Sequence, residues 1–94
     1  MIIVVSFVKH GNNGFQSLEI HYDDDCCWGE VIRNICVNCG IDPNTTGGLT
    51  MNVDVRTMKS ESFDDAVPLR YNPMEALSAY GSNYVHLLIR ELQD

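Results

Sequence analysis

CWGEVIRNICVNCGIDPN, residues 27 to 44, is the stretch whose reading decides how this chain folds. Trp28, Val31, Ile32, Ile35, Cys36 and Cys39 recur in steps of three and one, which gathers them on one face of a helix over about 27–39. Gly40 ends it, because glycine just past a last turn takes the left-handed conformation that closes the open carbonyls. Pro43 then stops the helix from resuming.

Strand patterns flank this helix on both sides. IIVVSFV at 2–8 is β-branched or aromatic apart from Ser6, the composition of a central strand with Ile3, Val5 and Phe7 inward and Val4, Ser6 and Val8 outward. HGNNG at 10–14 carries the Asn and Gly residues that tolerate positive φ and reads as a hairpin turn. FQSLEIHY alternates, setting Leu18, Ile20 and Tyr22 on one face and Ser17, Glu19 and His21 on the other. Asp23, Asp24 and Asp25 come just before the helix, where carboxylates accept its orphan N–H groups, so they read as its cap. A calcium loop would need further oxygen ligands at alternating spacing and a glycine at the sharp turn.

Downstream, LTMNVDVRTM predicts a third strand with Leu49, Met51, Val53 and Val55 inward. Residues 57–67 are polar and aperiodic, a surface loop with a short strand expected around Val67 to Arg70. PMEALSAYG predicts a short helical turn near 74–80, begun by Pro73 and ended by Gly81. NYVHLLIREL is the last strand, with Val85, Leu87 and Ile89 inward and Tyr84, His86, Leu88 and Arg90 outward.

The 94 residues make one domain with one core, 1–94. Met1 leads straight into the first strand, which suggests the N-terminal domain of a longer protein. No apolar run approaches the roughly 20 residues of a membrane span, and MIIVVSFVK lacks a signal-peptide pattern, so a cytoplasmic location is expected, with the nucleus open to it. Thirteen acidic residues against six basic give a net charge of −7, which repels phosphate backbones and anionic lipid. Neither nucleic acid nor a membrane surface is an expected partner.

One main helix among strands predicts an α+β fold of the β-grasp type, a mixed four- to five-stranded sheet packed on that helix. The order strand, hairpin, strand, helix, strand, helical turn, strand resembles ubiquitin and its integral ubiquitin-like relatives. The resemblance is carried by Cys27 to Asn44 with its GIDP exit (Gly40, Ile41, Asp42, Pro43), by ALSAY at Ala76 to Tyr80, and by VHLLIREL at Val85 to Leu92. It covers most of the chain except Thr57 to Arg70. Ubiquitin-like modifiers end in a Gly-Gly tail, whereas Gly47 and Gly48 are internal here and the last residues are Glu91, Leu92, Gln93 and Asp94. The resemblance therefore implies the non-conjugated type.

The cysteines do not suggest a metal or redox centre. Along a helix Cys27 and Cys36 stand about 13 Å apart, too far to share an ion or a disulfide. Cys36 and Cys39 form C-x-x-C at the carboxyl end of the helix, where the dipole disfavours a thiolate, and both belong to the apolar stripe. The spacing of plant-type iron–sulfur proteins is absent. His10, His21 and His86 lie near no nucleophile in any defensible sequence spacing, and GNNG precedes a strand and so does not form a phosphate loop. No catalytic, metal or cofactor site is expected.

Binding is the function that remains. The resemblance implies an adaptor or scaffold module that meets a protein partner on the outer sheet face, at Tyr84, His86, Leu88 and Arg90. An alternative follows the PB1 type of β-grasp, whose domains join head to tail. Lys9 and the acidic run Glu61, Asp64 and Asp65 offer a loose version of its two halves, which would make the partner the chain itself. Ras-binding or microtubule-binding relatives rank lower, since their partners present acidic surfaces and this chain is acidic.

Overall fold

A computed structural model of the chain describes residues 1–12, 14–58 and 65–92. Among the described residues, seven strands and one α-helix follow in order: β1 (Ile2–Val8), β2 (Gln16–His21), α1 (Trp28–Asn38), β3 (Thr45–Thr46), β4 (Leu49–Thr50), β5 (Val53–Thr57), β6 (Val67–Pro68) and β7 (Tyr84–Glu91). A 3₁₀ turn, Leu77–Tyr80, precedes β7. Five strands form one sheet in the order β2-β1-β7-β5-β6, and β3 and β4 form a separate hairpin. The first and last strands, β1 and β7, run parallel at the centre, and all other pairs are antiparallel. A parallel pair cannot be joined by a tight turn, so the chain must cross over between them, and α1 occupies that crossover. This is the expected α+β β-grasp.

The core lies between α1 and one face of the sheet. Ile3, Val5 and Phe7 of β1, Val85, Leu87 and Ile89 of β7, and Val53 of β5 are buried with Trp28, Val31, Ile32, Ile35, Cys36 and Cys39 of the helix side. Every apolar position of the stripe at 27–44 is thus in the core, and Ile41 of the GIDP exit joins it. Leu18, Ile20 and Tyr22 pack against its rim.

Two expectations from the sequence need correction. The acidic triplet does not cap α1. Cys27 is the N-cap residue and makes no side-chain cap bond. The orphan donors of the first turn are taken instead by the backbone of the segment before the 3₁₀ turn: Trp28 N–H donates to Glu75 O and Gly29 N–H to Pro73 O, each at 3.0 Å. Leu77 N–H returns a bond to Cys26 O at 2.9 Å, so the two segments bind one another in both directions. Trp28 secures this junction, its ring 5.6 Å from Tyr80 in an edge-on contact and 6.1 Å from Tyr71. Backbone acceptors already fill the role that side-chain carboxylates were expected to play.

The third strand is also not continuous. It breaks at Met51 and Asn52, leaving Leu49 and Met51 43% and 58% exposed where they were expected inward. The cause is local. The Asn52 amide donates to Asp42 O at 2.7 Å and its carbonyl accepts from Asn44 N–H at 3.2 Å, while Met51 N–H donates to Asn44 O at 2.6 Å. An asparagine side chain that satisfies neighbouring backbone competes with the ladder and bends the chain. Leu49 then pairs with Thr46 across the Gly47-Gly48 turn, whose φ values of 61° and 83° are those of a primed two-residue hairpin.

That hairpin yields a graded prediction. At Gly47 a Cβ meets open space, whereas at Gly48 it would lie 2.6 Å from Pro73 Cβ. Gly47→Ala is expected to cost about 1 kcal/mol for the left-handed conformation alone, and Gly48→Ala clearly more because Pro73 must also move. Urea unfolding midpoints should fall in the order wild type, Gly47→Ala, Gly48→Ala.

Candidate interaction surface

With α1 on one side of the sheet, the opposite face takes the outward side chains of four strands. The register sets them in rows. Ser6 of β1 is opposite Ser17 of β2 and beside Leu88 of β7, which in turn is opposite Arg56 of β5. Arg90 is opposite Asp54, and Ile2 is beside Tyr84. The parallel β1–β7 pairing thus brings residues about 80 positions apart in sequence onto one surface.

The four residues expected to bind a partner fall on this face but differ in what they offer. Tyr84 is 50% exposed and Arg90 is exposed. His86 is half-buried and bonded through Nε2 to Ser6 Oγ at 2.9 Å. Leu88 is only 2% exposed, so it supports the surface from beneath and cannot be its apolar centre. It is buried outside the main core cluster, on the far side of the sheet. An outward phase in a strand does not guarantee exposure, because long neighbours such as Arg56 lie across it.

Sequence spacing gave no sign of the Ser6–His86 pair, although alternation alone places Ser6, Ser17, Asp54 and Arg56 on this face. Ser6 is 7% exposed, and Ser17 Oγ stands 3.3 Å from its hydroxyl. A nucleophile and a base are therefore within hydrogen-bond reach, but the hydroxyl is enclosed in the sheet. Among the described residues no carboxylate bonds the imidazole. The arrangement satisfies a buried hydroxyl, as buried polar groups require. Beside it, Arg56 Nε donates to Asp54 Oδ2 at 3.1 Å, an ion pair whose partners are both partly covered.

Of the residues named for head-to-tail assembly, Lys9 and Asp65 are among the described residues. Lys9 lies at the carboxyl end of α1, where a Cβ on Gly40 would be 3.3 Å from its Nζ. The last turn of the helix holds no basic residue of its own, so Lys9 supplies the cation its dipole favours. Asp65 is exposed, and Glu61 and Asp64 lie outside the described residues.

All four cysteines are free. Burial pushes the Cys36 thiol up to about 11, aided by Glu91, and burial likewise pushes Cys39 up to about 12, aided by Cys36. Tyr22 rises to about 12 through burial. In the unfolded chain the thiols ionise at their ordinary 9.0, so above that pH the unfolded state holds fewer protons than the folded one and stability falls as pH rises. Denaturant midpoints are expected to be level up to about pH 8 and to drop by pH 10.5, the drop shrinking in Cys36→Ala with Cys39→Ala. At pH 8 a thiol reagent should modify Cys26 and Cys27 in the native protein and reach Cys36 and Cys39 only in denaturant. Rapid modification of all four without denaturant would contradict the burial of the stripe.

Among the described residues no helix is long and apolar enough to cross a membrane, and no group of three or more His, Cys, Asp or Glu side chains is placed to hold a metal. No family model matches the chain, and no curated protein does. Among solved structures, a ubiquitin-like protein from the hyperthermophilic archaea Caldiarchaeum subterraneum aligns with 100% of this chain and 99% of that one, with a TM-score of 0.53 and 13% sequence identity. At that identity the likeness concerns the fold, and it agrees with the strand order in showing a ubiquitin-like β-grasp.

Proposed function

We propose that this chain is a non-enzymatic, ubiquitin-like protein-interaction module, an adaptor or scaffold domain that docks a protein partner on its outer sheet face. The observation that carries the reading is the character of that face: Tyr84 is half-exposed at one end of β7, Arg90 is exposed at the other, and the Ser6–His86 and Asp54–Arg56 pairs hold the surface between them. Tyrosine and arginine are enriched at protein interfaces because each offers a large contact area with a polar tip. A fitting partner sets an apolar side chain against Tyr84 and an acidic group against Arg90. Four free cysteines suit a reducing compartment, so the module works in the cytoplasm or nucleus.

The burial of Leu88 changes how this is tested. Leu88→Asp places an unpaired charge in a closed site and is expected to destabilise the domain by about 3 kcal/mol or more, so loss of binding in that variant carries no information about the surface. Tyr84→Ala and Arg90→Ala alter exposed groups and should leave the unfolding midpoint close to wild type. A partner enriched on immobilised wild-type chain, then purified, is expected to bind Tyr84→Ala with Arg90→Ala at least tenfold more weakly. Its amide shift perturbations should map to β7 and β5. Unchanged affinity in the folded double variant, with perturbations on the helix side, would assign the contact elsewhere.

A further inference from the structure

Strand β2 is an edge of the five-stranded sheet, and among the described residues no strand pairs with its outer side. The direction of its backbone groups follows from one pair. Tyr22 N–H donates to Met1 O at 2.9 Å, and the Met1 nitrogen donates back to Tyr22 O at 2.7 Å. Alternation along an antiparallel ladder then turns the backbone groups of Leu18 and Ile20 toward β1 and those of Ser17, Glu19 and His21 toward the open edge. Six extended residues, three of them (Ser17, Glu19 and His21) turning their donors and acceptors to the open edge, are a template for another strand.

We propose that the occupant of this edge is β2 of a second copy, antiparallel, with Ile20 opposite Ile20 on the two-fold axis. The side chains select that register. A symmetric antiparallel pair must match residues of one face, so the axis passes through a residue. Centred on Glu19, the pairing sets Glu19 against Glu19, and centred on His21 it sets Glu19 against Asp23 and histidine against histidine. Centred on Leu18, it places Ile20 against Gln16. Only the Ile20 register gives each Glu19 a histidine, His21 of the second copy, twice over. Within one chain these two already attract, Glu19 Oε2 standing 2.9 Å from His21 Nε2.

The other face of the strand agrees with the same register. Leu18, Ile20 and Tyr22 are only partly buried on the helix side. The proposed pairing sets Ile20 against Ile20 and Leu18 against Tyr22, at positions of the new ladder where side chains approach most closely. Beside Tyr22 a cleft of ≈ 250 Å³ opens toward α1, lined by Cys26, Glu30, Val31 and Asn34. Leu18 of the second copy occupies it. The two sheets become one, with both helices on one side and both outer faces on the other. The charge of −7 on each copy opposes this approach, and physiological salt screens that repulsion over the distances between the bodies of the domains.

The test is sedimentation equilibrium of the chain from micromolar to millimolar concentration at about 0.15 M ionic strength. The mass should rise from 10.6 kDa toward twice that value and stop there. His21→Glu sets glutamate against Glu19 at both symmetric positions, and Glu19→Lys removes the carboxylate that faces His21; each is expected to weaken the dimer about tenfold. Combining them restores the pairing with signs exchanged and should recover association, a rescue that impaired folding would not produce. A mass that stays monomeric at millimolar concentration overturns the proposal, as does a dimer indifferent to all three variants. Growth beyond two copies would do the same and would point to open head-to-tail assembly.

Discussion

The fold depends on the apolar stripe of α1 covering the inner face of β1 and β7. These strands are parallel and come from opposite ends of the sequence, so no local turn can hold them in register. What holds them is a shared layer: Ile3, Val5 and Phe7 lie beside Val85, Leu87 and Ile89 beneath Val31, Ile32, Ile35 and Cys36. A slip of one residue in either strand would turn its whole apolar set away from the helix. The position of the helix is fixed in turn at its start, where the carbonyls of Pro73 and Glu75 receive the first N–H groups and Trp28 packs between Tyr71 and Tyr80. Every surface of the molecule takes its composition from that arrangement.

This dependence explains what could be read from the sequence. β2 and α1 carry clear periods, and β1 and β7 are apolar runs long enough to mark central strands, with Ser6, His86 and Arg90 marking their outward face, so the inward residues of all four follow from pattern. The short turn ended by Gly81 was legible for a similar reason, since that glycine adopts φ 81°. Pattern failed where a single polar side chain outweighed it. LTMNVDVRTM alternates as cleanly as any segment, yet Asn52 bends the chain and releases Leu49 and Met51 from the core. The acidic triplet had the right residues at the right place for a cap, but a segment nearly 50 positions away supplied backbone acceptors instead. The candidate surface was half legible. Alternation assigned Tyr84, His86, Leu88 and Arg90 to the outer face, but not the degree to which neighbours cover each one. Leu88 and the Ser6–His86 pair depend on cross-strand register, which one sequence does not contain.

The outer face and the β2 edge are separate surfaces governed by different physics. The face offers side chains, so its selectivity lies in Tyr84, Arg90 and the fixed pairs between them. The edge offers backbone, which any extended strand can meet, so its selectivity must come from register, through Glu19 and His21 on one side and Leu18, Ile20 and Tyr22 on the other. Because α1 takes up the inner face, neither surface can be enlarged at the expense of the core. A net negative charge around both also means that attraction to a partner is local and short in range.

The central pair has a mechanical consequence. β1 begins and β7 ends at opposite ends of their shared ladder, because the strands run parallel from Ile2 beside Tyr84 to Val8 beside Arg90. Tension applied at the start of β1 and the end of β7 therefore acts along the strands, in shear. The hydrogen bonds between them must yield together and cannot open one at a time as in a hairpin pulled from its free ends. The antiparallel β5–β7 ladder lies beside this pair and adds a second row of bonds to the same strand. A domain joined this way resists being pulled apart at these two ends far better than its small size suggests.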